Sequence, residues 1–459
     1  MSNEYGDVSF WLDTCGDDLT PRPALAGSTE VDVAVIGAGY TGLWTAYHLL
    51  RDEPSLRVLV VEAQIAGFGA SGRNGGWCSA LYPVALTTLA ARHGREAAIA
   101  QYRAMLDNLD AVEAVVAAEG LDADWARGGT VDLARTPAQV TRAHETVAEA
   151  RAFGFGEDRL RWLDAATTHE RVRASRVLGA TFTPDCAVVH PAKLARGLAR
   201  VVERRGGRIV EQTAVRDLEP GIVRTDHGDV RARHVLLATE GFTPRLPGRR
   251  RDVVPVYSLM IATAPLPADL LDAVGLARRE TFTDHRHLIV YGQRTADDRI
   301  AFGGRGAPYH FGSRVRPDFD REPTVFASLQ RALVDLFPVL DGVEVTHRWG
   351  GPLGVTRDWS PSVVHDPVTG LGGAGGYVGD GVSTTHLAGR TLADLVLGRD
   401  TPLTRLPWVG HRSPRWEPEP LRFLGARALG RAVELADAAE ARGRDGSAVA
   451  GLVDRLLRH

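Results

Sequence analysis

Lysine is almost missing from this chain: of its 54 basic residues only Lys193 is a lysine. Genomic base composition accounts for the arginine surplus, but the surplus leaves almost no ammonium group for any active site. Cysteine is scarce too. Cys15, Cys78 and Cys186 lie far apart and form no CxxC pair, which excludes a disulfide scaffold and a cysteine-ligated zinc and fits a reducing cytoplasm. No apolar run approaches the roughly 18 residues that span a bilayer. The polar, acidic start MSNEYGDVSFWLDTCGDD lacks the basic segment and apolar core of a secretory signal. An excess of one charge is also absent: 54 basic residues against 57 acidic leave −3, so nothing electrostatic favours nucleic acid or an anionic membrane. The expectation is a soluble cytoplasmic protein that binds neither.

What the chain does have is length and glycine placed with purpose. Its 459 residues, 44% of them hydrophobic, suffice for two or three domains with a large core. From Val31 the run VDVAVIG is apolar and β-branched, as a buried parallel strand requires. A glycine loop follows, then TGLWTAYHLL at helical spacing, then LRVLVVEA as a second strand. This is one βαβ unit. Similar nucleotide-binding signals return in 186–245 and 345–398, with helix and strand of another kind between them.

A second domain inserted twice into the first explains that pattern better than a tandem pair. The expected boundaries are an N-terminal arm over 1–29 and a nucleotide-binding domain of 30–82, 185–250 and 345–405. A substrate domain takes 83–184 and 251–344, and a helical tail 406–459. The fold class is α/β: a Rossmann-type unit interleaved with an α+β domain.

The residues Gly37, Ala38, Gly39, Tyr40, Thr41 and Gly42 fit GxGxxG between a predicted strand and a predicted helix. The first glycine permits the turn, the second lets backbone approach a pyrophosphate, and the third lets helix and strand pack closely. Free N–H groups at the helix start would face the diphosphate. Glu62, with Ala63 after it, ends the second strand 25 residues beyond Gly37, where an acid accepts ribose hydroxyls. NAD and FAD both suit such a unit. The loop IAGFGASGRNGGW over 65–77 favours FAD, because its small residues offer many backbone donors to a planar ligand.

With VAVIGAGYTGLWTAYHLL, GFGASGRNGGW, DCAVVHPAKLARGLA, YGQRTADDRIAFGGRG, HRWGG and GGYVGDGVSTTHLAGRTLADL in one order over 30–400, the chain resembles the glycine oxidase/D-amino-acid oxidase (DAO) superfamily of flavoenzymes, and within it γ-glutamylputrescine oxidase-like proteins. The resemblance implies that Gly37, Gly39 and Gly42 meet the diphosphate, and Glu62 the ribose. Ser71, Arg73, Asn74, Gly75 and Gly76 would wrap the region from diphosphate to ring. Val215 would clamp the adenine, and Ala238 and Thr239 would close over the pyrophosphate. Gly376, Tyr377, Gly379, Asp380, Gly381 and Val382 would line the isoalloxazine, with the dipole of helix 382–397 aimed at its N1–C2=O edge.

The reaction implied is hydride removal from carbon next to the nitrogen of a neutral primary or secondary amine, an amino acid or a polyamine derivative, giving an imine that water hydrolyses. The protein's part is to position that carbon. Tyr291, Arg294 and Arg305 are candidates for the pocket wall, and Arg305 for a carboxylate or phosphate clamp; a surface or ion-paired arginine is the competing reading. Trp77 could wall the pocket or pack in a core, and Tyr257 is a further candidate. His190 reads best as a helix-entry histidine, and Cys78 as a buried inert thiol.

Some relatives tether FAD through a cysteine near the C-terminal block or a histidine after the first glycine loop. This chain has neither there, so FAD is expected to be noncovalent. Relatives fast with oxygen can use a lysine near flavin N5, but RIAFGGRG has none. Oxygen or another electron acceptor therefore both stand, and a dehydrogenase is the second reading. A flavin-binding sensor without turnover and a nicotinamide enzyme are further alternatives.

Overall fold

The run VDVAVI forms the core of the strand Thr29–Ile36, buried from Val33 onward. In this computed structural model, which describes residues 5–304, 306 and 309–440, that strand lies between Gly228–Leu237 and Val58–Val61 and runs parallel to both. The sheet extends on one side through Leu371–Gly375 to Ser362–His365, and on the other to Arg208–Val210. The helices Tyr40–Asp52, Pro191–Arg204 and Gly381–Val396 cover it with one continuous apolar core, to which Leu43, Trp44, Leu198 and Leu392 belong. The first and last of these helices cross at Gly389, where an added Cβ would stand 2.8 Å from the Thr45 nitrogen. That close crossing brings the two glycine-rich loops to one end of the sheet.

A second eight-stranded sheet draws its strands from 130–183 and 254–355 and is antiparallel apart from the pairing of Thr130–Ala134 with Thr281–Asp284. One face packs Tyr257, Leu259, Phe282 and Phe302 against the helix Pro323–Leu336. The other face looks toward the first sheet and carries Met260, Trp349 and Tyr291. The N-terminal segment lies against these residues through Phe10, Trp11 and Leu12.

The strands of the two sheets alternate along the chain, as the interleaved pattern predicts. One boundary differs. Val345–Val355 pairs along its length with Val254–Thr263, so the chain re-enters the first sheet only at Ser362. The VTHRWGGPLGV run is a strand of the second sheet through this antiparallel pairing.

The helix Leu421–Glu440 closes the described chain, and the remainder of the expected tail lies outside the described residues. Among the described residues no helix is long and apolar enough to cross a membrane.

Candidate active site

The glycine turn is held by contacts that no larger residue would permit. Gly37 has φ +105°, and a Cβ there would meet the Ala238 carbonyl oxygen at 2.6 Å. A Cβ on Gly42 would stand 2.0 Å from the Gly37 carbonyl oxygen. The helix Tyr40–Asp52 therefore starts directly against the strand end, with its first N–H groups facing a long cleft. The Tyr40 N–H donates to Ser71 Oγ at 2.8 Å. Glu62 accepts the Ala38 and Gln64 N–H groups at 2.8 and 2.9 Å, which holds its carboxylate at the cleft wall with lone pairs to spare.

The cleft encloses about 450 Å³. Of the residues expected to bind cofactor, Gly37, Gly39, Tyr40, Thr41, Glu62, Ala63, Ser71, Asn74, Val215, Ala238, Thr239, Tyr377, Gly379, Gly381 and Val382 line it. The helix Gly381–Val396 begins at its far end, where Thr41 Oγ1 and Tyr377 Oη lie 3.1 Å apart.

Six expected cofactor residues lie elsewhere. Gly42 and Gly76 act behind the surface as packing points, and Gly376 takes φ +78° in the turn before the helix. Gly75 and Asp380 line a second cavity, as does Arg73. The Arg73 guanidinium faces away from the cleft, because Asp320 holds Nη1 at 2.7 Å, the Gly350 carbonyl accepts a second Nη1 proton and the Phe68 carbonyl accepts the Nε proton. Its role is to pin the RNGG loop. Asn74 does the same: its amide donates to the Ala70 and Ser71 carbonyls and accepts the Gly76 N–H.

The second cavity, about 570 Å³, opens from the first where Asn74, Leu353, Gly379 and Val382 border both. Trp77 and Tyr291 wall it, their rings 6.0 Å apart and edge to face. A Cβ on Gly75 would come within 2.6 Å of the Tyr291 ring, so the glycine is what lets that ring lie against the loop. Ser258 Oγ sits 2.8 Å from Tyr291 Oη.

Tyr257 is a correction. Alternation along Val254–Thr263 turns Ser258 to the cavity and Tyr257 to the opposite face, where it is fully buried between His310 and Phe319. Arg294 pairs with Asp298 at 2.6 Å and lines neither cavity. Arg305 lies outside the described residues.

Sequence reasoning passed over Glu240, which follows Ala238 and Thr239. It lines the cleft, accepts the Tyr377 N–H at 3.2 Å and leaves Oε2 without a partner. Burial pushes its carboxyl up to about 7. The sequence setting of Glu240, an acid opening the short helix Glu240–Arg245 after the strand Gly228–Leu237, reads as ordinary helix chemistry, so no signal in the sequence singled it out. His190 caps the helix Pro191–Arg204, its Nδ1 accepting the Lys193 N–H at 3.2 Å, and burial lowers it to about 4. Burial raises the Cys78 thiol far above its ordinary range, which keeps it unreactive. Lys193 pairs with Asp124 at 2.8 Å and Asp122 at 3.2 Å and borders neither cavity.

A family profile described as FAD dependent oxidoreductase, DAO, matches residues 32–395. The chain belongs to that family. It is 31% identical over 399 residues to γ-glutamylputrescine oxidoreductase of Escherichia coli, covering 85% of this chain and 89% of the relative. It is 25% identical to glycine oxidase of Geobacillus kaustophilus, covering 82% of this chain and 96% of that one. The crystal structure of that glycine oxidase superposes with a TM-score of 0.69 at 22% identity, covering 83% of this chain and 99% of that chain. The flavoenzyme fold and the FAD requirement are thereby shown, and the long cleft with its glycine-lined floor fits that cofactor.

Proposed function

We propose that this flavoenzyme oxidises a primary or secondary amine at the carbon next to nitrogen, in the cavity walled by Trp77 and Tyr291. The observation that carries the reading is the junction of the two cavities beside Gly379 and Val382: a molecule in the second cavity lies against whatever fills that end of the first. FAD, when bound, supplies the hydride acceptor. The two electrons and the hydrogen leave the amine's α-carbon together. The resulting imine takes up water to give a carbonyl compound and the freed amine, and the electrons pass on to an acceptor.

The chain's own groups do the positioning. Glu62 and the backbone near Val215 would hold the adenosine end, the Gly37–Gly42 turn and Ser71 the diphosphate, and the loop from Tyr377 to Val382 the ring. The start of the helix Gly381–Val396 would stabilise negative charge on that ring. Trp77, Tyr291 and Leu353 keep water from the reacting carbon, and low polarity there favours the neutral amine that must react.

Attachment is noncovalent in this reading: among the described residues lining the cleft there is neither cysteine nor histidine. The position of Lys193, away from both cavities, favours an electron acceptor other than oxygen as a second reading.

Anaerobic titration of the yellow holoenzyme with amines and amino acids tests the proposal. One class should bleach the flavin, acid precipitation should release all of it, and slow recovery in air would select the dehydrogenase. A holoenzyme that no amine reduces would overturn the reading and leave a flavin-binding protein without turnover.

A further inference from the structure

The second cavity is acidic in a way its arginines do not balance. Arg73, Arg142 and Arg286 reach it, but each is already paired: Arg73 with Asp320, Arg142 with Glu440 at 2.7 Å, and Arg286 with Asp284. Asp132 is not. It projects from the strand Thr130–Ala134, and its Oδ1 is buried without a hydrogen-bond partner. Its Oδ2 lies 3.3 Å from Nε2 of His285, a side chain only 9% exposed. That Nε2 likewise has no hydrogen-bond partner. Glu145, on the helix Pro137–Ala152 that borders the cavity, makes no ion pair or hydrogen bond among the described residues.

The place of Asp132 is set by register. It stands beside Thr283, and Thr283 beside Tyr291, on three adjacent strands. All three line the cavity. Neighbouring strands lie about 4.8 Å apart, so Asp132 stands roughly 10 Å along the sheet from the Tyr291 wall. The Asp132 side chain is 29% exposed and lines the cavity, but its Oδ1 is buried without a partner, a desolvation cost that a cation would offset. Burial, reinforced by Asp284 and opposed by Arg142, raises Asp132 above the ordinary carboxyl range. His285, lowered to about 4 chiefly by burial, supplies no positive charge near neutral pH.

We propose that Asp132, flanked by His285, binds an ammonium group at the end of the substrate remote from the reacting carbon, so that the substrate is a diamine or a similar long amine with a second cation. This rests on the reading of the second cavity as the site of amine oxidation, and it adds a direction: the reacting end lies at Trp77 and Tyr291, the cationic end at Asp132.

Three probes of one chain length separate the possibilities: cadaverine, n-pentylamine and δ-aminovalerate differ only in the far group. Calorimetric binding to the holoenzyme reads the subsite, and anaerobic bleaching reads the oxidation. The wild type should bind cadaverine at least about tenfold more tightly than pentylamine, and aminovalerate most weakly. Asp132→Asn should erase the difference between the first two while leaving pentylamine binding and flavin content unchanged, and Asp132→Glu should restore part of it. Equal binding of all three probes by the wild type, a preference for aminovalerate, or an Asp132→Asn variant that keeps the preference would overturn the proposal. Tight binding of cadaverine without any amine bleaching the flavin would leave the subsite standing and sink the oxidation reading instead.

Discussion

At the scale of single residues, the glycines of the first loop do different work, and substitution separates them. Alanine at Gly42 would put its Cβ 2.0 Å from the Gly37 carbonyl oxygen and 3.1 Å from Val35 Cγ1. Both belong to the strand–helix junction, and neither has room to retreat. At Gly39 the nearest atom is Ser71 Oγ at 3.0 Å, the end of a side chain that turns. Gly42→Ala should therefore cost about 1–3 kcal/mol or more and lose most of its flavin. Gly39→Ala should fold with a near-normal melting temperature and bind FAD more weakly. Flavin-to-protein ratio and thermal midpoint check both, and a fully yellow Gly42→Ala protein of unchanged midpoint would refute the packing argument.

Among elements, the C-terminal helix has the clearest consequence for the site. Asp437 accepts the backbone N–H groups of His287 and Leu288, each at 2.8 Å. Glu440 holds Arg142 through both oxygens, and Arg142 in turn donates to the His285 carbonyl. The helix thus pins the segment 284–289, which rims the second cavity. Hydrogen bonds to a charged group contribute about 1.5–3 kcal/mol each. Asp437→Ala should raise KM several-fold, leave flavin content and kcat nearly unchanged, and speed hydrogen exchange at His287 and Leu288. Unchanged exchange there would mean the segment holds its shape without the helix.

Over the whole molecule, buried neutral histidines set a limit on the acid side. His386 is wholly enclosed, its Nδ1 2.6 Å from Asn108 Oδ1, and burial, with Arg390 and Arg51 nearby, lowers it from 6.5 to about 3. His48, packed against it, is lowered well below its ordinary value by burial first and then by His386. His190, His234 and His285 are each lowered to about 4. In every case the unfolded chain takes up protons that the folded chain refuses. The stability these histidines contribute is therefore full above about pH 6.5 and falls as pH drops toward the folded values. His386 alone contributes up to about 1.4 kcal/mol per pH unit in that window. Denaturation midpoints should fall steeply below pH 6, less so in His386→Asn; equal slopes in the two proteins would refute the assignment.

The glycine turn, the acid at position 62, the RNGG loop and the C-terminal glycine block were legible in the sequence because each is a short run of residue types at fixed spacing, although the contacts that complete them, such as Gly37 against Ala238 and Gly75 against Tyr291, close over long sequence distances. Local chain geometry is what sequence spacing encodes, and it was enough to point to the cofactor and its fold class. Other features depended on which surfaces meet. Period-two alternation shows that Tyr257 and Ser258 face opposite ways, but only the packing of the second sheet against the helix Pro323–Leu336 turned Tyr257 inward. Arg73 read as a cofactor ligand until its partner, Asp320, appeared 247 residues away. The strand Val345–Val355 passed for part of the nucleotide-binding unit until its pairing with Val254–Thr263 placed it in the other sheet. Asp132 looked like any polar residue in a strand, because a carboxyl oxygen left without a hydrogen bond is a property of everything around it, and only the tertiary structure brings that surrounding together.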